Sequence, residues 1–516
     1  MPAATTTADS PEVGADAVRI IQIDVERSNG PLNRAYRHSV GSDRAIIHLR
    51  PEHQRDLRFV KDKCGFEYMR FHGLLNEEMG LVKVGPRGEV SYDWTNLDRV
   101  YDLLQELSIR PIVELGFMPE PLASGEQTIF WWKGNVTEPK SYEQWGDFIE
   151  QLVRHLTERY GADEVREWYF EVWNEPNLDG FWPAGEEAYF KLYQYAVRAI
   201  KRVDPGYRVG GPATAGGGWI SNTLKFCEQN DVPIDFIATH VYGATEGFLD
   251  EQGKGGTMLD PNPDGFAAWF SSVLEPIRRS NRPELPLLVT EWGPSYSLRD
   301  PVHDSYFCAA YILQRLRRLP PEVKAMSYWA FSDQFEEAGP VPSPFHGGFG
   351  LLNAQGLPKP AFFAYRFLNE LGDAELTCDD PNVWACRDKR GVQVLFWDYH
   401  HPEQDSPNAA FFARDWPAEP AAPARVIVNN LSPGEKTVSV THVGYRHNDV
   451  YTAYLDLGAP AGLPNAPSRL PEEVLTKLRA ACTGEPEVST VVVSPGQPVT
   501  LDLPMNQNDV YFITIE

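Results

Sequence analysis

The sequence is poor in the features that build disulfide-rich, metal-binding or membrane proteins. Its 516 residues include only 6 cysteines, which lie far apart and form no Cys-x-x-Cys pair and no cluster with histidine. In a chain of this size we expect such cysteines to be reduced and mostly buried. No run of about eighteen apolar residues occurs, so the sequence predicts no membrane-spanning helix.

Positive charge is also scarce. The chain has 47 lysines and arginines against 72 aspartates and glutamates, which gives a formal net charge of −25. A field of that sign repels nucleic acid and anionic lipid, so we predict no nucleic-acid partner and no membrane partner. The first residues lack the basic and apolar regions of a secretory signal, which leads us to expect a cytoplasmic location.

Short β-branched runs alternate with amphipathic segments between residues 45 and 335. Eight such runs are followed by segments with a helical period, and this alternation predicts an α/β fold of the (β/α)8 TIM-barrel type. A doubly wound sheet is the competing architecture, but it usually carries a glycine-rich phosphate turn that is absent here. The predicted strands are 45–49, 67–72, 110–115, 168–173, 207–211, 235–242, 286–291 and 325–331.

The sequence after residue 372 predicts a second, β-sandwich domain. Short alternating strands with turn signals replace the longer period there. We expect the Pro- and Ala-rich segments 417–424 and 459–471 to be loops. The complete prediction is a disordered tail at 1–14, an N-terminal strand at 15–29 that pairs with the sandwich, a catalytic barrel at 30–371 and a C-terminal β-sandwich accessory domain at 372–516.

Two glutamates stand where predicted barrel strands end. Asn174-Glu175-Pro176 follows the fourth strand and Glu291 ends the seventh, and each glutamate has a tryptophan close by in sequence. A single glutamate there would be compatible with an ion pair, but strands four and seven lie across the barrel mouth from each other. Cleavage of a glycosidic bond requires one carboxylic acid to protonate the leaving oxygen and one carboxylate to attack carbon or activate water. The two glutamates therefore favour a glycosidase.

Six longer motifs surround the strand ends and continue into the second domain. They are YMRFHGLL at 68–75, ELGFMP at 114–119, EVWNEPNL at 171–178, YWAFSD at 328–333, FHGGFGLL at 345–352 and NDVYTAY at 448–454. Together they resemble the β-xylosidases of glycoside hydrolase family 39 over nearly the whole chain. The resemblance implies a retaining mechanism with Glu175 as general acid/base and Glu291 as nucleophile. We expect the pKa of Glu175 to exceed that of Glu291, because of the nearby negative nucleophile and partial burial.

The resemblance also implies a set of sugar-binding residues at the strand ends. Asn174 would bond the 2-hydroxyl, His72 and His240 would bond other hydroxyls, Tyr242 would lie near the nucleophile and Trp329 would form a stacking floor. A lone histidine is more often a core residue, but two at separate strand ends favour ligand contact.

Further candidates have a weaker basis. Arg70 would lie beside the nucleophile, although a structural ion pair explains it almost as well. Glu336 and Glu337 match a family pair that reaches outer sugar hydroxyls, with Glu337 making the direct contact. Three aromatic residues in the loops are candidates for lining sugar subsites: Trp131, Trp182 and Tyr296.

Other short motifs do not predict a cofactor or a metal. The glycine-rich stretch 210–218 has no Gly-Lys-Ser/Thr, so it is not a phosphate loop. Residues 260–265 imitate the start of a calcium loop, but its twelfth position is Ser271 rather than glutamate. Paired carboxylates need neither a metal nor a cofactor, and we predict neither.

The sequence thus predicts an exo-acting, retaining β-D-xylosidase that releases xylose from the non-reducing ends of xylo-oligosaccharides. The long loops 124–140 and 334–350 favour a closed pocket over an open cleft. Alternatives are the same mechanism on an α-L-arabinoside, β-glucoside or α-L-iduronide, and a non-catalytic carbohydrate-binding barrel. An iduronide carboxylate would need basic residues that the sequence does not place at the mouth. The oligomeric state, monomer or homo-oligomer, stays open.

Overall fold

Eight parallel strands close into a barrel in the computed structural model, which describes residues 18–249, 255–458 and 469–516. Each strand pairs with the next one in the sequence, and the eighth pairs with the first. The predicted (β/α)8 barrel is therefore confirmed. Its strands are Ser39–Arg44, Tyr68–His72, Arg110–Glu114, Tyr169–Glu171, Arg208–Ala215, Phe236–Tyr242, Leu287–Gly293 and Val323–Tyr328.

Amphipathic helices surround the strands. The first has proline at its N-terminal turn, where a missing N–H is harmless, and ends at Gly65, whose φ of 71° lies in the left-handed region that glycine adopts easily. The principal helices of the barrel are Pro51–Cys64, Thr95–Glu106, Tyr142–Tyr160, Glu186–Val203, Ile220–Asn230, Gly265–Arg279, Phe307–Leu316 and Pro360–Glu370.

The position predicted for the first strand is wrong. Residues Ala45–Leu49 form a 3-10 helix, and the strand is the preceding segment Ser39–Arg44. All six of its residues are buried although serine, aspartate and arginine are among them. A strand whose polar side chains serve the barrel interior carries no apolar run, so the hydrophobic pattern shifted the prediction onto the apolar segment that follows.

The interior of the barrel is filled by side chains away from the carboxyl ends of its strands. A cluster of buried side chains from seven of the strands occupies it, and the stacked rings of His38 and Tyr68, 4.3 Å apart, lie at this level. The open space therefore lies at the carboxyl ends of the strands, where barrel enzymes place their chemistry. The cluster consists of Tyr68, Ile112, Tyr169, Ala213, Phe236, Ala238, Leu288 and Ala325.

Two mostly antiparallel sheets form the C-terminal sandwich. Apolar side chains from both sheets make one buried cluster between them. The three-stranded sheet consists of Arg19–Asp24, Pro420–Asn429 and Val499–Asn506. The seven-stranded sheet consists of Ser28–Pro31, Ala374–Leu376, Val383–Asp388, Gly391–Trp397, Val510–Ile515, Gly434–Val443 and Glu487–Val493. The short helices of this region are Asn408–Phe411, Val450–Asp456 and Glu472–Ala480.

The N-terminal strand belongs to this sandwich by its pairing. Arg19–Asp24 runs parallel to the second half of Pro420–Asn429, from Ala424 onward. The loop predicted at 417–424 is therefore partly wrong, because the strand begins at Pro420. Pro420 and Pro423 both come before the parallel pairing, and Pro423 lies within a register shift between Ala421 and Ala424. Neither proline therefore has to donate a hydrogen bond to the N-terminal strand.

Some predictions concern segments that the structure does not describe. The tail 1–14 and most of the loop 459–471 lie outside the described residues, and the domain boundaries at 29 and 371 stay predictions that limited proteolysis would check. In the described ranges, no helix has both the length and the apolar character needed to cross a membrane.

Candidate active site

Glu175 projects from a sharply turned segment just after the fourth strand. The backbone enters the left-handed region twice, at Trp173 with φ 73° and at Glu175 itself with φ 42°. The Glu175 N–H donates to the carbonyl of Ala213 on the fifth strand, over 2.9 Å. Non-glycine residues adopt this conformation only where the surroundings hold them, and such positions concentrate at functional sites.

The carboxylates of Glu175 and Glu291 face each other closely. One oxygen of each lies within 4.8 Å of the other, and a nitrogen of His240 lies within the same distance of both. His240 Nδ1 is 2.8 Å from Glu175 Oε1 and 3.6 Å from Glu291 Oε2. Carboxyl groups about 5–5.5 Å apart suit direct attack on an anomeric carbon, whereas inversion through a water needs roughly 6.5–9.5 Å. The close approach of one oxygen from each group is compatible with the shorter separation, which retention uses.

Arg70, on the second strand, connects the site across the barrel. Its buried guanidinium donates to Glu291 Oε1 at 2.7 Å and to Asn174 Oδ1 at 2.8 Å. It also contacts Glu114 Oε2 at 2.9 Å and donates to Glu171. One cation therefore fixes Glu291, orients Asn174 and balances two further buried carboxylates. Arg70 thus lies beside Glu291, as one interpretation predicted, and it also belongs to an extended ion-pair network, as the other predicted.

The second oxygen of Glu291 accepts a hydrogen bond from the hydroxyl of Tyr242. This bond spans 2.7 Å, and burial raises the pKa of Tyr242 well above its ordinary value, so the tyrosine stays a donor. Although Glu175, His240 and Glu291 have atoms close enough to reach one cation, the oxygens of Glu291 already have two donors. The arrangement suits a nucleophile more than a metal ligand.

His72 connects the nucleophile to Glu337. Its Nδ1 lies 2.7 Å from Glu114 Oε2, and its Nε2 lies 3.5 Å from Glu337 Oε1 and 3.7 Å from Glu291 Oε1. Burial lowers the pKa of His72, but the carboxylates of Glu114 and Glu291 outweigh it and raise the pKa to about 9. The imidazole is therefore a charged donor at neutral pH. Burial raises the pKa of Glu337 well above its usual range.

Burial sets the protonation of the acid candidate. It raises the pKa of Glu175 to about 7, against the positive charges of Arg70 and His72 and with a smaller contribution from Glu114. The expected elevation is present, but the carboxylate that contributes is Glu114 rather than the predicted Glu291. Burial also lowers the pKa of His240 to about 3, so its imidazole stays neutral beside Glu175.

Trp329 lies against the first strand beneath these groups. Gly41 leaves room for its ring, because a Cβ at that position would overlap the indole. The ring centroid is 4.8 Å from that of His72 and 5.5 Å from the guanidinium carbon of Arg70. The indole is thus held on several sides and presents a fixed flat surface.

A cavity of about 600 Å³ opens over this set of residues. It brings together most of the side chains that the sequence singled out. Those that line it are His72, Asn174, Glu175, His240, Tyr242, Glu291, Tyr296, Trp329 and Glu337.

Four predicted residues do not line the cavity. Trp182 is buried against Trp173 and donates to the carbonyl of Gly185, so it packs rather than faces sugar. Glu336 turns away to a bidentate pair with Arg50, at 2.7 and 2.9 Å. Trp131 is 55% exposed outside the lining, where its indole covers Gly339. Arg70 lies behind the wall, as described above.

Sequence reasoning missed two buried carboxylates. Glu114 and Glu171 stand on the third and fourth barrel strands, in motifs that were identified only for their resemblance. The signal that singled out Glu175 and Glu291, an acidic residue where a barrel strand stops, applies to Glu114 as well. The apolar part of the lining had no such signal: Ile129, Phe130, Leu178, Phe181, Val241, Ala244 and Phe349.

Comparison with known proteins finds relatives over nearly the whole chain. The model of glycosyl hydrolases family 39 matches residues 19–481. A β-xylosidase of Caldicellulosiruptor saccharolyticus is 37% identical over 96% of this chain and 98% of its own length, and one of Geobacillus stearothermophilus is 44% identical over 72% and 75%. The crystal structure of a monomeric β-xylosidase from Caulobacter crescentus CB15 superposes with a TM-score of 0.92 at 45% identity, covering 96% of this chain and 99% of that one.

Proposed function

The chain belongs to glycosyl hydrolase family 39, and we propose that in its retaining β-xylosidase reaction Glu175 serves as general acid/base and Glu291 as nucleophile. The observation that carries this assignment is that one oxygen of each carboxylate lies within 4.8 Å of the other. The two groups have different hydrogen-bonding partners. Glu291 accepts hydrogen bonds from Arg70 and Tyr242, which hold its two oxygens in place. Glu175 is held largely neutral at pH 6 by burial.

The first step forms a covalent glycosyl-enzyme. Glu291 Oε attacks the anomeric carbon while Glu175 donates its proton to the leaving oxygen, so the glycosidic bond breaks as the ester bond forms. The bonds from Arg70 and Tyr242 keep the attacking carboxylate in place. Asn174, oriented by Arg70, is available to the 2-hydroxyl, a contact that strengthens as the oxocarbenium-like transition state develops.

The second step returns the enzyme to its starting state. Esterification removes the negative charge of Glu291, and Glu175 is ionised after giving up its proton. Glu175 then takes a proton from water while the water oxygen attacks the anomeric carbon and the ester bond breaks. Two inversions give net retention. The neutral His240 lies 2.8 Å from Glu175 and stays next to the carboxyl group in both of its protonation states.

The substrate we propose is the non-reducing end of xylo-oligosaccharides, cleaved in exo fashion. Support comes from the buried side chains at the reacting end of the cavity, where His72 and the carboxyl group of Glu337 can hydrogen-bond outer hydroxyls and Trp329 offers a stacking face. Residues 334–350, which carry Glu337 and Phe349, line one side of it. Comparing the first products from long xylan with those from xylobiose tests the exo mode.

Other glycones fit the lining less well. No lysine or arginine is among the lining residues in the part of the chain that the structure describes, so a uronate carboxylate would lack a direct cationic partner there. An α-L-arabinoside differs less from a β-D-xyloside around the anomeric centre, and we retain it as a secondary substrate. A non-catalytic sugar-binding barrel is not favoured, because the family and the named relatives are enzymes.

Hydrolysis of p-nitrophenyl β-D-xyloside, followed by NMR of the anomer released first, tests the mechanism. We expect turnover with β-xylose as the initial product, because two displacements at one carbon restore its configuration. Initial α-xylose would mean a single displacement and would make Glu291 a base. A panel of arabinosides, glucosides and uronides, assayed in parallel, measures the glycone preference.

The pH profile is a second test, which follows from the pKa of Glu175. Catalysis needs this carboxyl protonated in the free enzyme, so kcat/KM for xylobiose is expected to fall as pH rises through about 7, tenfold per unit at higher pH. The measurement is kcat/KM from pH 5 to 9, with unfolding followed by circular dichroism across the same range. A flat profile above pH 7 with the fold intact would contradict the assignment of Glu175.

The cytoplasmic location stays a prediction. Assays on washed intact cells, on the medium and on lysate would check it, and most activity outside intact cells would contradict it.

A further inference from the structure

The position of Glu337 in the cavity depends on the backbone that carries it. Its carboxyl group lines the cavity, and Oε1 lies 3.5 Å from His72 Nε2. An ordinary hydrogen bond spans about 2.7–3.2 Å, so this contact holds the side chain only weakly. The Glu337 carbonyl, in contrast, accepts a bond of 2.7 Å from the N–H of Trp131. The carboxyl group is therefore placed by the fixed points on either side of it in the chain.

The preceding residue, Glu336, is fixed at both its backbone and its side chain. Its N–H donates to Asp43 Oδ2 over 3.1 Å. Its carboxylate accepts two hydrogen bonds from Arg50, at 2.7 and 2.9 Å, and lies 3.0 Å from Arg44 Nη1. We call Asp43, Arg44, Arg50 and Glu336 the Glu336 clamp. The clamp fixes the peptide that leads directly into Glu337.

The Glu336 clamp joins the two ends of the barrel sheet. Asp43 and Arg44 end the first strand, Arg50 directly precedes the first helix, and Glu336 belongs to the loop after the eighth strand. Asp43 and Arg44 are buried, and Arg44 Nη1 also lies 3.0 Å from Asp43 Oδ2. Bonds between ionised partners are shorter and stronger than neutral ones, so they hold the loop at a fixed distance from the strand.

The Glu336 clamp lies behind the wall of the active-site cavity. None of its four residues belongs to the lining of that cavity. Arg50 and Glu336 line instead a separate cavity of about 710 Å³. A sugar bound beside Glu291 therefore meets Glu337 and not the clamp, and any influence of Arg50 on the reaction has to pass through Glu337.

We propose that Arg50 is a positioning residue, which through the Glu336 clamp places the Glu337 carboxyl group against an outer hydroxyl of the sugar. The inference rests on the proposed function, in which Glu337 contacts such a hydroxyl. Because Asn174 is available to the 2-hydroxyl, the hydroxyls left for Glu337 are those at C3 and C4 of a non-reducing xylose. A displacement of about 1 Å in a group that positions substrate can cost roughly 10²-fold in rate.

Replacement of Arg50 tests the clamp. Arg50→Met removes both hydrogen bonds but leaves Arg44 3.0 Å from Glu336. Since the Arg50 side chain is 43% exposed, we expect the variant to stay folded, as thermal unfolding would verify. Its kcat/KM for p-nitrophenyl β-D-xyloside should fall by roughly 10- to 10²-fold. Arg50→Lys, which keeps the charge without the bidentate geometry, should lose less. An unchanged kcat/KM in Arg50→Met would overturn the proposal.

A double-mutant cycle shows whether the loss passes through Glu337. Glu337→Ala is expected to lower kcat/KM by roughly 10²-fold, because its hydrogen bond to the sugar is gone. Adding Arg50→Met to Glu337→Ala should then change kcat/KM by less than about twofold, because no carboxyl group is left to position. If Arg50→Met caused the same loss in both backgrounds, the clamp would act by another route and the proposal would fail.

Deoxy substrates give a readout that general damage to the protein would not give. The 3-deoxy and 4-deoxy analogues of p-nitrophenyl β-D-xyloside each lack one outer hydroxyl. The analogue on which Glu337→Ala has no effect should also be the one on which Arg50→Met has none. Glu336→Gln, which weakens the clamp from its other side, should show the same pattern. Equal losses from Arg50→Met on the parent substrate and on both analogues would contradict a positioning role.

Arg425→Met is the matched control. Arg425 binds both oxygens of Asp502, at 2.6 and 3.3 Å, and its side chain is 45% exposed in the second domain. This variant should retain full activity, and a loss equal to that of Arg50→Met would contradict the proposal.

The outcomes separate this inference from the proposed function. An unchanged kcat/KM in Glu337→Ala would contradict the sugar contact that the proposed function assigns to Glu337. A large loss in Glu337→Ala beside full activity in Arg50→Met would contradict only the role of the Glu336 clamp.

Discussion

Glu291→Gly is expected to lower kcat for p-nitrophenyl β-D-xyloside and for xylobiose alike, by at least roughly 10⁴-fold, because the covalent step has no attacking atom. The loss should not depend on the leaving group, since even a good one needs the nucleophile. Binding should largely persist, because His72, Asn174 and Trp329 are unchanged. Steady-state assays of both substrates give the two ratios.

Azide distinguishes a missing nucleophile from a damaged protein. In Glu291→Gly the small anion can enter the vacated space and attack the anomeric carbon once, giving α-xylosyl azide from an activated aryl xyloside. Arg70 loses one anionic partner but retains Glu114 and Glu171, so we expect the variant to stay folded, as thermal unfolding would verify. Glu485→Gly, at an exposed position in the second domain, is the control and should retain full activity. Hydrolysis by Glu291→Gly at more than about one per cent of the parent rate would contradict its assignment.

Glu175→Ala is expected to discriminate strongly between leaving groups. The xylose unit expelled from xylobiose would leave as an alkoxide unless its oxygen is protonated, so kcat/KM for xylobiose should fall by roughly 10³–10⁴-fold. An activated substrate such as 2,4-dinitrophenyl β-D-xyloside needs no proton, and its kcat/KM should fall by less than about tenfold. Its kcat falls further, because the base that activates water is also gone and the glycosyl-enzyme accumulates. A burst of dinitrophenol followed by slow turnover is the measurement.

Two further observations complete the test of Glu175. The loss of kcat/KM above pH 7 should disappear in Glu175→Ala, since the group responsible is absent. Azide should accelerate turnover and give β-xylosyl azide, because it attacks the glycosyl-enzyme from the side that Glu175 occupied. Equal losses on xylobiose and on the activated substrate would show that the roles of the two glutamates are misassigned.

The alternation of apolar runs and helices was sufficient to predict the barrel, but it failed where a strand is polar. Seven strands carry β-branched or aromatic residues that pack inside the barrel or against helices, and their predicted positions overlap the observed ones. The first strand carries Gly41 beneath Trp329 and Asp43 beside Arg44, and all are buried. Its composition is determined by the site it supports rather than by a hydrophobic face, so local periodicity could not locate it.

The candidate site was predictable at the strand ends and not in the loops. The carboxyl ends of the barrel strands surround one cavity, which explains why Glu175, Glu291, His72 and His240, placed at or just after four of those ends, converge there. A loop tryptophan has no such constraint. Trp182 turned inward onto Trp173, and nothing in its neighbouring sequence distinguishes that orientation from an outward one.

The contacts of Arg70 have a consequence for how the active enzyme assembles. Arg70 and two of its carboxylate partners, Glu114 and Glu171, belong to the first four strands, whereas Glu291 comes from the seventh. If the chain were cut between the fourth and fifth strands, one fragment would carry the proton donor and the guanidinium, and the other would carry the nucleophile. Neither fragment could react alone. The ion pair that orients the attacking oxygen is also a bond between the two halves, so catalytic competence would report directly on their reunion.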